Sequence, residues 1–334
     1  MPNQTRKAIA LMSGGLDSLL AAKVIQDQGV EVIGLHLLSP FGCREDVEKS
    51  AQALGIRLIC RDKGEAYLDL VANPKYGYGK SVNPCVDCRI YMFQIAEIVM
   101  QEEGADFVVT GEVLGQRPMS QQRTAMELID RKSPLEDRIL RPLSAHLFEP
   151  TLPEREGWVS REALYGVQGR SRREQLDMAE RLNLTAFSAP GGGCLLTEMA
   201  FAPRFKDFFA HAHYATTEEK LIQSELLRHG RHFRSSPRAK IIVARDQKEN
   251  ELLESKWRPA GGTLFYPIGF GGPSVLALGT VEEEEKRLIG EVILRYGKVK
   301  ADENPQIAFE ARDGQGVYPV TKPISDEQLG ELRL

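Results

Sequence analysis

The sequence lacks any apolar run near the roughly 20 residues that cross a bilayer, which excludes a helical membrane protein. Its first residues pass from a short polar tail straight into a strand-like run, without the apolar core of a signal peptide. A cytoplasmic protein with no membrane partner is therefore expected. Cysteine is scarce and odd in number, 5 in 334 residues, which excludes a disulfide framework and suits a reducing compartment. Aromatic residues make up only 7% against 42% hydrophobic and 27% charged, an ordinary globular mix with no pull toward disorder or fibre. A formal net charge of -4 excludes a uniformly basic nucleic-acid binder but leaves room for a local basic face. No internal repeat is present, and the charge run at 282–287 reads as a solvated face.

What is there is an alternation of apolar runs and helical periods. A short apolar run at 7–12, a glycine turn and an apolar-periodic stretch at 18–28 read as strand, loop and helix. Further runs at 30–38, 56–60 and 105–110 alternate with helix-like stretches at 45–54 and 89–103, the pattern of a parallel α/β sheet. A helical portion is expected at 158–184. Beyond about residue 201 the texture changes: 216–229 looks helical, and β-like runs follow at 239–244, 263–268, 274–278, 291–296 and 307–311. The expectation is an α/β doubly wound parallel sheet over 1–198, its ligand at the carboxyl ends of the strands, and a second, smaller α+β domain over 199–334.

The first chemical motif, Ser13, Gly14, Gly15, Leu16, Asp17 and Ser18, lies between that first strand and helix. Glycines let the backbone approach an anion, hydroxyls and amides donate to phosphate oxygens, and the helix points its positive end at them. The lysine of a Walker loop is missing, so kinase or GTPase chemistry is not expected. SGGLDS resembles the signature of the PP-loop ATP pyrophosphatases, a HUP-like group that adenylates substrates. That resemblance implies pyrophosphate binding by Ser13, Gly14, Gly15 and Ser18, with Asp17 helping to place Mg²⁺ on ATP.

The cysteines narrow the choice. Cys85 and Cys88 form C-x-x-C after Asn83 and Pro84, and Cys194 follows Gly191, Gly192 and Gly193. Three thiolates can hold one metal centre with an open position, and thiolates select zinc or iron–sulfur clusters. The set is similar to that of cluster-dependent tRNA thiolases, which implies a 4Fe-4S cluster on Cys85, Cys88 and Cys194 that presents sulfide. Persulfide chemistry, with one low-pKa cysteine carrying sulfur and another resolving a disulfide, stays open beside it. Cys43 has no such setting, and Cys60, ending an apolar strand, reads as core.

A third segment follows the strand at 105–110: Thr110, Gly111 and Glu112, then Gly115 and Gln116, then Ser120 and Gln121. This resembles the TGE, GQ and SQ pattern of tRNA 4-thiouridine synthetases, and implies that Gly111, Glu112 and Gln116 lie beside the nucleotide and that the target is the uridine near position 8 of tRNA. The related anticodon 2-thiouridylases show a histidine where Glu112 stands. The spacing departs from the pattern, with Arg117, Pro118 and Met119 between GQ and SQ. Arg141, and Arg170 to Arg172, resemble segments where arginines meet tRNA phosphate.

Between 226 and 245 the cations Arg228, Arg231, Arg234, Arg238 and Lys240 surround Phe233, with no acid until Asp246. Such a run reads as an electrostatic footprint for RNA phosphates, and the stretch weakly resembles the RNA-binding module of NFACT proteins. Taken together the resemblances imply an ATP-dependent tRNA sulfurtransferase, with tRNA and a sulfide or persulfide-donating carrier as partners and a homodimer left open. A non-catalytic, ATP-sensing RNA binder and an amidotransferase-type synthetase are the alternatives.

Overall fold

The computed structural model describes residues 5–41, 47–187, 194–211, 213–299 and 304–334. Cys43 and Gly191 to Gly193 lie outside them. The chain divides into two units, Met1–Thr197 and Glu198–Leu334.

In the first unit, β1 (Lys7–Leu11), α1 (Leu16–Gln26), β2 (Glu31–Leu38), α2 (Val47–Leu54), β3 (Leu58–Asp62) and α3 (Gly64–Ala72) alternate. They are followed by α4 (Cys85–Glu102), β4 (Phe107–Thr110), α5 (Arg123–Lys132), β5 (Ile139–Leu140), α6 (Leu152–Arg155) and α7 (Arg173–Arg181). The sheet order is β3-β2-β1-β4-β5, parallel throughout. Because side chains alternate across a strand, Ala8 and Ala10 join the core under α1 while Ile9 and Leu11 join the core under α4. Phe107 and Val109 likewise face the first core and Val108 the second. A sheet apolar on both faces must be covered on both, which is the doubly wound arrangement. The chain reverses direction across the sheet between β1 and β4, and there the strand ends open a crevice. The stretch expected to be helical at 158–184 is helical only at α7 and a single 3-10 turn, Arg161–Ala163.

The second unit holds α8 (Ala202–Ala210), α9 (Thr217–Leu226), β6 (Arg231–Ser236), β7 (Ala239–Val243), α10 (Gln247–Lys256), β8 (Thr263–Ile268) and β9 (Val275–Gly279). It continues with α11 (Glu283–Tyr296), β10 (Gln306–Ala311), β11 (Gly314–Pro319) and α12 (Asp326–Glu331). Its sheet runs β11-β10-β8-β9-β7-β6 and is antiparallel. Ile241, Val275, Ala277 and Phe265 face a core shared with α11, whereas Ile242, Leu276 and Leu264 face one shared with α10. The apolar run at 291–296, expected as strand, is the second half of α11. Its start is the charged run: Glu282 and Glu285 form a reciprocal capping box, so these acids build a helix terminus. Leu288, Ile289, Val292 and Ile293 then fall on one helical face, a period that β-branched residues disguise.

Phe265 has no exposed surface and its ring lies 5.9 Å from that of Phe309. Phe265→Ala is expected to cost about 3–5 kcal/mol of stability, measured by chemical denaturation of the full chain; a loss under ~1 kcal/mol would contradict this core assignment.

Candidate functional site

The loop from β1 to α1 closes on itself before it closes on anything else. Ser18 Oγ donates to Gly15 O at 2.9 Å, lies 3.2 Å from Ser13 Oγ, and accepts from Ser13 N at 3.2 Å. Gly14 holds φ at 70°, a left-handed value that favours glycine. Gly15 is the N-cap of α1 and offers no side-chain cap, so the first amides of the helix keep their donors for an anion.

The end of β4 meets this loop at contact distance. A Cβ on Gly111 would sit 2.4 Å from the carbonyl carbon and oxygen of Asp17 and 2.5 Å from Ser18 N. Just beyond, Gln116 donates to Asp17 Oδ2 at 2.8 Å and accepts from Gln175 Nε2 at 3.2 Å. Asp17 Oδ1 is buried without a protein partner, as is Gln121 Oε1. These two oxygens, aimed at no side chain, fit a bound cation and a nucleotide donor respectively.

Glu112 has a different job from the nucleotide contact expected of it. It is 1% exposed and paired with Arg89 Nε at 3.0 Å and Arg141 Nε at 3.2 Å. Arg141 also grips Asp130 at 2.7 and 3.0 Å. Arg141 is therefore an internal strut and not the tRNA contact expected from its motif, because a buried guanidinium needs its carboxylates close by. Arg170 stays exposed. Arg89, which follows Cys88 directly, thus ties the cysteine helix to the end of β4.

Cys85 and Cys88 occupy the first turn of α4, where i and i+3 share a face and the helix dipole favours thiolate. Cys88 Sγ lies 3.4 Å from Lys63 Nζ and 3.6 Å from Tyr67 Oη. Burial works against ionisation of Cys88, but the Lys63 charge, the Tyr67 hydrogen bond and Arg89 outweigh it and hold the thiol below its ordinary value. Cys85 is raised, by burial and then by the Cys88 charge, against the pull of Arg89 and Arg117. Cys194 is pushed up to about 11, chiefly by burial and further by Cys88 and Cys85. A bond from Val82 N to Leu196 O, 3.2 Å long, ties the turn after Cys194 to the loop before Cys85. The three thiols thus share one neighbourhood with unequal protonation. Their all-sulfur donor set suits an iron–sulfur centre in kind. Yet among the described residues no three Cys, His, Asp or Glu side chains close into a group that could hold a metal ion. Cys60, expected in the core, is exposed on β3, because β3 is the edge strand of the sheet.

The basic run in the second unit is largely neutralised by acids distant in sequence. Arg234 donates to both oxygens of Asp207 at 2.8 and 2.6 Å, and Lys240, 2% exposed, lies 3.0 Å from the same carboxylate. Burial pushes Lys240 down to about 8, with Arg234 and Arg204 adding to it against Asp207. Neither residue is the surface phosphate contact expected of it, since β6 and β7 turn them toward α8. Arg238 pairs with Glu282 at 2.8 Å, and Arg231 stacks 4.6 Å over the Tyr296 ring. Arg228 remains exposed, its side chain donating to His229 Nε2 at 3.0 Å. Sequence reading missed Lys63, Tyr67, Arg89 and Asp207; of these only Arg89 carried a signal, its place directly after C-x-x-C.

The first unit thus sets an uncapped glycine loop at the switch point of a parallel sheet, with paired thiols on the long helix α4. Comparison with known proteins specifies it further. Residues 4–146 match the family described as "Thiamine biosynthesis protein (ThiI)", and residues 230–333 match the "NFACT protein RNA binding domain". Each match covers less than half of the chain, and the two fall on different units. A probable tRNA sulfurtransferase of Methanothermobacter thermautotrophicus is 28% identical over 120 residues, 33% of this chain and 30% of that protein. A tRNA-specific 2-thiouridylase MnmA of Sulfurimonas denitrificans is 37% identical over 120 residues, 33% of this chain and 35% of that one. The chain therefore spans about a third of the length of these curated relatives. A 4-thiouridine synthetase–RNA complex with bound ATP aligns at TM-score 0.40 and 20% identity, over 66% of this chain and 53% of that one.

Two outcomes follow from this geometry. Gly111→Ala is expected to lower stability by about 1–3 kcal/mol through overpacking against Asp17, read from thermal denaturation; an unchanged melting temperature would refute the close approach. In the second unit, Glu249 accepts from Gly230 N, Arg245 N and Arg245 Nε at 2.8–3.0 Å. Burial raises its carboxyl, but Arg245 and these bonds hold it down at about 2. The folded value lies below the unfolded one of about 4.3, so the stabilisation is complete above that value and vanishes as pH falls through about 2. Glu249→Gln should cost about 1–3 kcal/mol at pH 7, with the gap to the parent closing on acidification; a pH-independent gap would disprove the linkage.

Proposed function

We propose that the chain is an ATP-dependent tRNA sulfurtransferase that adenylates a uridine and replaces its carbonyl oxygen with sulfur. The observation that carries this reading is the strut Arg89–Glu112, which joins the thiol-bearing turn of α4 to the end of β4 where the phosphate loop is packed. Activation and sulfur chemistry then share one crevice.

In this reading ATP lies with its pyrophosphate over Ser13, Gly14, Gly15 and Ser18, and Asp17 Oδ1 takes Mg²⁺ while Gln116 holds the other carboxylate oxygen. The uridine carbonyl oxygen attacks the α-phosphorus and pyrophosphate leaves, so that the poor leaving oxygen becomes AMP. A sulfur nucleophile then attacks the ring carbon and AMP departs. Glu112 in place of the histidine of 2-thiouridylases favours the 4-position of the uridine near position 8, with 2-thiolation as the alternative. The NFACT-like segment would hold the tRNA, Arg228 and Arg238 being exposed members of its basic run.

Two forms of sulfur delivery are consistent with three thiols as donors, though among the described residues their spacing does not close around a metal. In the first, Cys85, Cys88 and Cys194 would hold a 4Fe-4S cluster, which would supply the sulfide. The lowered Cys88 thiol beside the raised Cys194 favours a second form, a persulfide on Cys88. Its outer sulfur attacks the base, another thiol displaces thiouridine by forming a disulfide, and an external thiol reduces that disulfide.

Full-length protein incubated with tRNA and MgATP is expected to release pyrophosphate only when tRNA is present and to yield thiouridine on nucleoside mass analysis. Cys194→Ala should abolish the thiouridine. Release without tRNA dependence, or undiminished thiolation by Cys194→Ala, would sink the reading; absence of any release would favour an ATP-sensing RNA binder. Iron and acid-labile sulfide counts after anaerobic purification separate cluster from persulfide.

A further inference from the structure

Arg117 stands in the three residues that depart from the thiouridine synthetase pattern. Its loop is pinned on two sides. On one, the adjacent Gln116 donates to Asp17 at 2.8 Å, and Gly115 N bonds Gln121 O at 2.6 Å, closing the loop's base. On the other, Met119 is seated on Gly79 so tightly that a Cβ there would fall 1.4 Å from the Met119 sulfur. Gly79 in turn donates to Asn83 O at 2.9 Å, in the run that leads into Cys85. Arg117 is therefore strung between the phosphate loop and the thiols.

Its charge agrees with that placement. Arg117 keeps solvent contact, yet the protein crowded around it lowers its guanidinium, with Arg89 adding to this against the pull of Cys85, Asp17 and Glu112. Glu112 is already committed to Arg89 and Arg141, and Asp17 to Gln116. Among the described residues Arg117 forms no ion pair. A planar fork of donors held beside a second cation, without a carboxylate of its own, suits a phosphoryl anion.

We infer that Arg117 contacts the substrate, holding the phosphate of the adenylated base between the phosphate loop and the cysteines. The inference rests on the sulfurtransferase reading for its reaction, but not for its ligand class. The cation binds the α-phosphate as pyrophosphate leaves, neutralises the AMP leaving group, and keeps the activated ring carbon on the side of the thiols. No bond is made or broken on Arg117 itself.

The test titrates AMP alone into the full-length parent, Arg117→Gln and Arg117→Lys by calorimetry, and follows tRNA-dependent pyrophosphate release by the same proteins. Arg117→Gln is expected to bind AMP about tenfold more weakly, as for loss of a charge-assisted pair. It is also expected to release pyrophosphate on the order of 100-fold more slowly, with an unchanged melting temperature. Arg117→Lys should recover part of both. AMP affinity or pyrophosphate release by Arg117→Gln within twofold of the parent overturns the inference. A parent that binds AMP but releases no pyrophosphate with tRNA defeats the sulfurtransferase reading instead, and the AMP titration still decides on Arg117.

Discussion

Residue 111 approaches the backbone of Asp17 and Ser18 more closely than any side chain would permit, and much of the first unit is arranged around that contact. With a Cβ only 2.4 Å from the Asp17 carbonyl, β4 would have to withdraw from β1, and the crevice at the switch point would open into an ordinary strand end. Because the contact is made, Gln116 reaches the Asp17 carboxylate and Glu112 lands where Arg89 and Arg141 converge. Through Arg89 the same contact positions the first turn of α4, and with it Cys85 and Cys88. One missing methyl group thus links the anion loop to the thiols.

The charged residues sort into two populations on this scaffold. Buried ones are paired: Glu112 with two arginines, Arg141 with two carboxylates, and Arg234 and Lys240 with Asp207. Such networks cost desolvation and return it only when every partner is present, so they hold elements in register and do not serve as docking charges. Other groups lack a full set of partners, notably Asp17 Oδ1, Gln121 Oε1 and the Arg117 cation. They gather at the strand ends of the first unit.

Much of this was legible beforehand. The SGGLDS loop announced itself because strand, glycines and helix start are contiguous, and local sequence dictates local backbone. The C-x-x-C turn was legible for the same reason, since two thiols on one helical turn need no tertiary help. The strand-like reading of 291–296 failed because Val292 and Ile293 favour strands in isolation, whereas the capping pair Glu282 and Glu285 commits the segment to α11. Cys60 was misplaced because an apolar neighbourhood in sequence does not reveal whether a strand is central or at the edge.

The roles of the charges were the least legible part. Within 226–245 no acid precedes Asp246, so the run looked like an open cationic face, yet Asp207 and Glu282 reach it from outside. Glu112 and Arg141 were each expected to touch a ligand and instead satisfy each other. Sequence by itself determined the local motifs, namely the anion loop, the thiol pair and the two kinds of sheet, because these depend on residues a few positions apart. Tertiary structure alone decided which cations are spent internally and which, among the described residues, are left without an ion pair. The partner of a buried charge is chosen by distance in space, and for the buried Glu219 that partner, Arg312, sits 93 residues away.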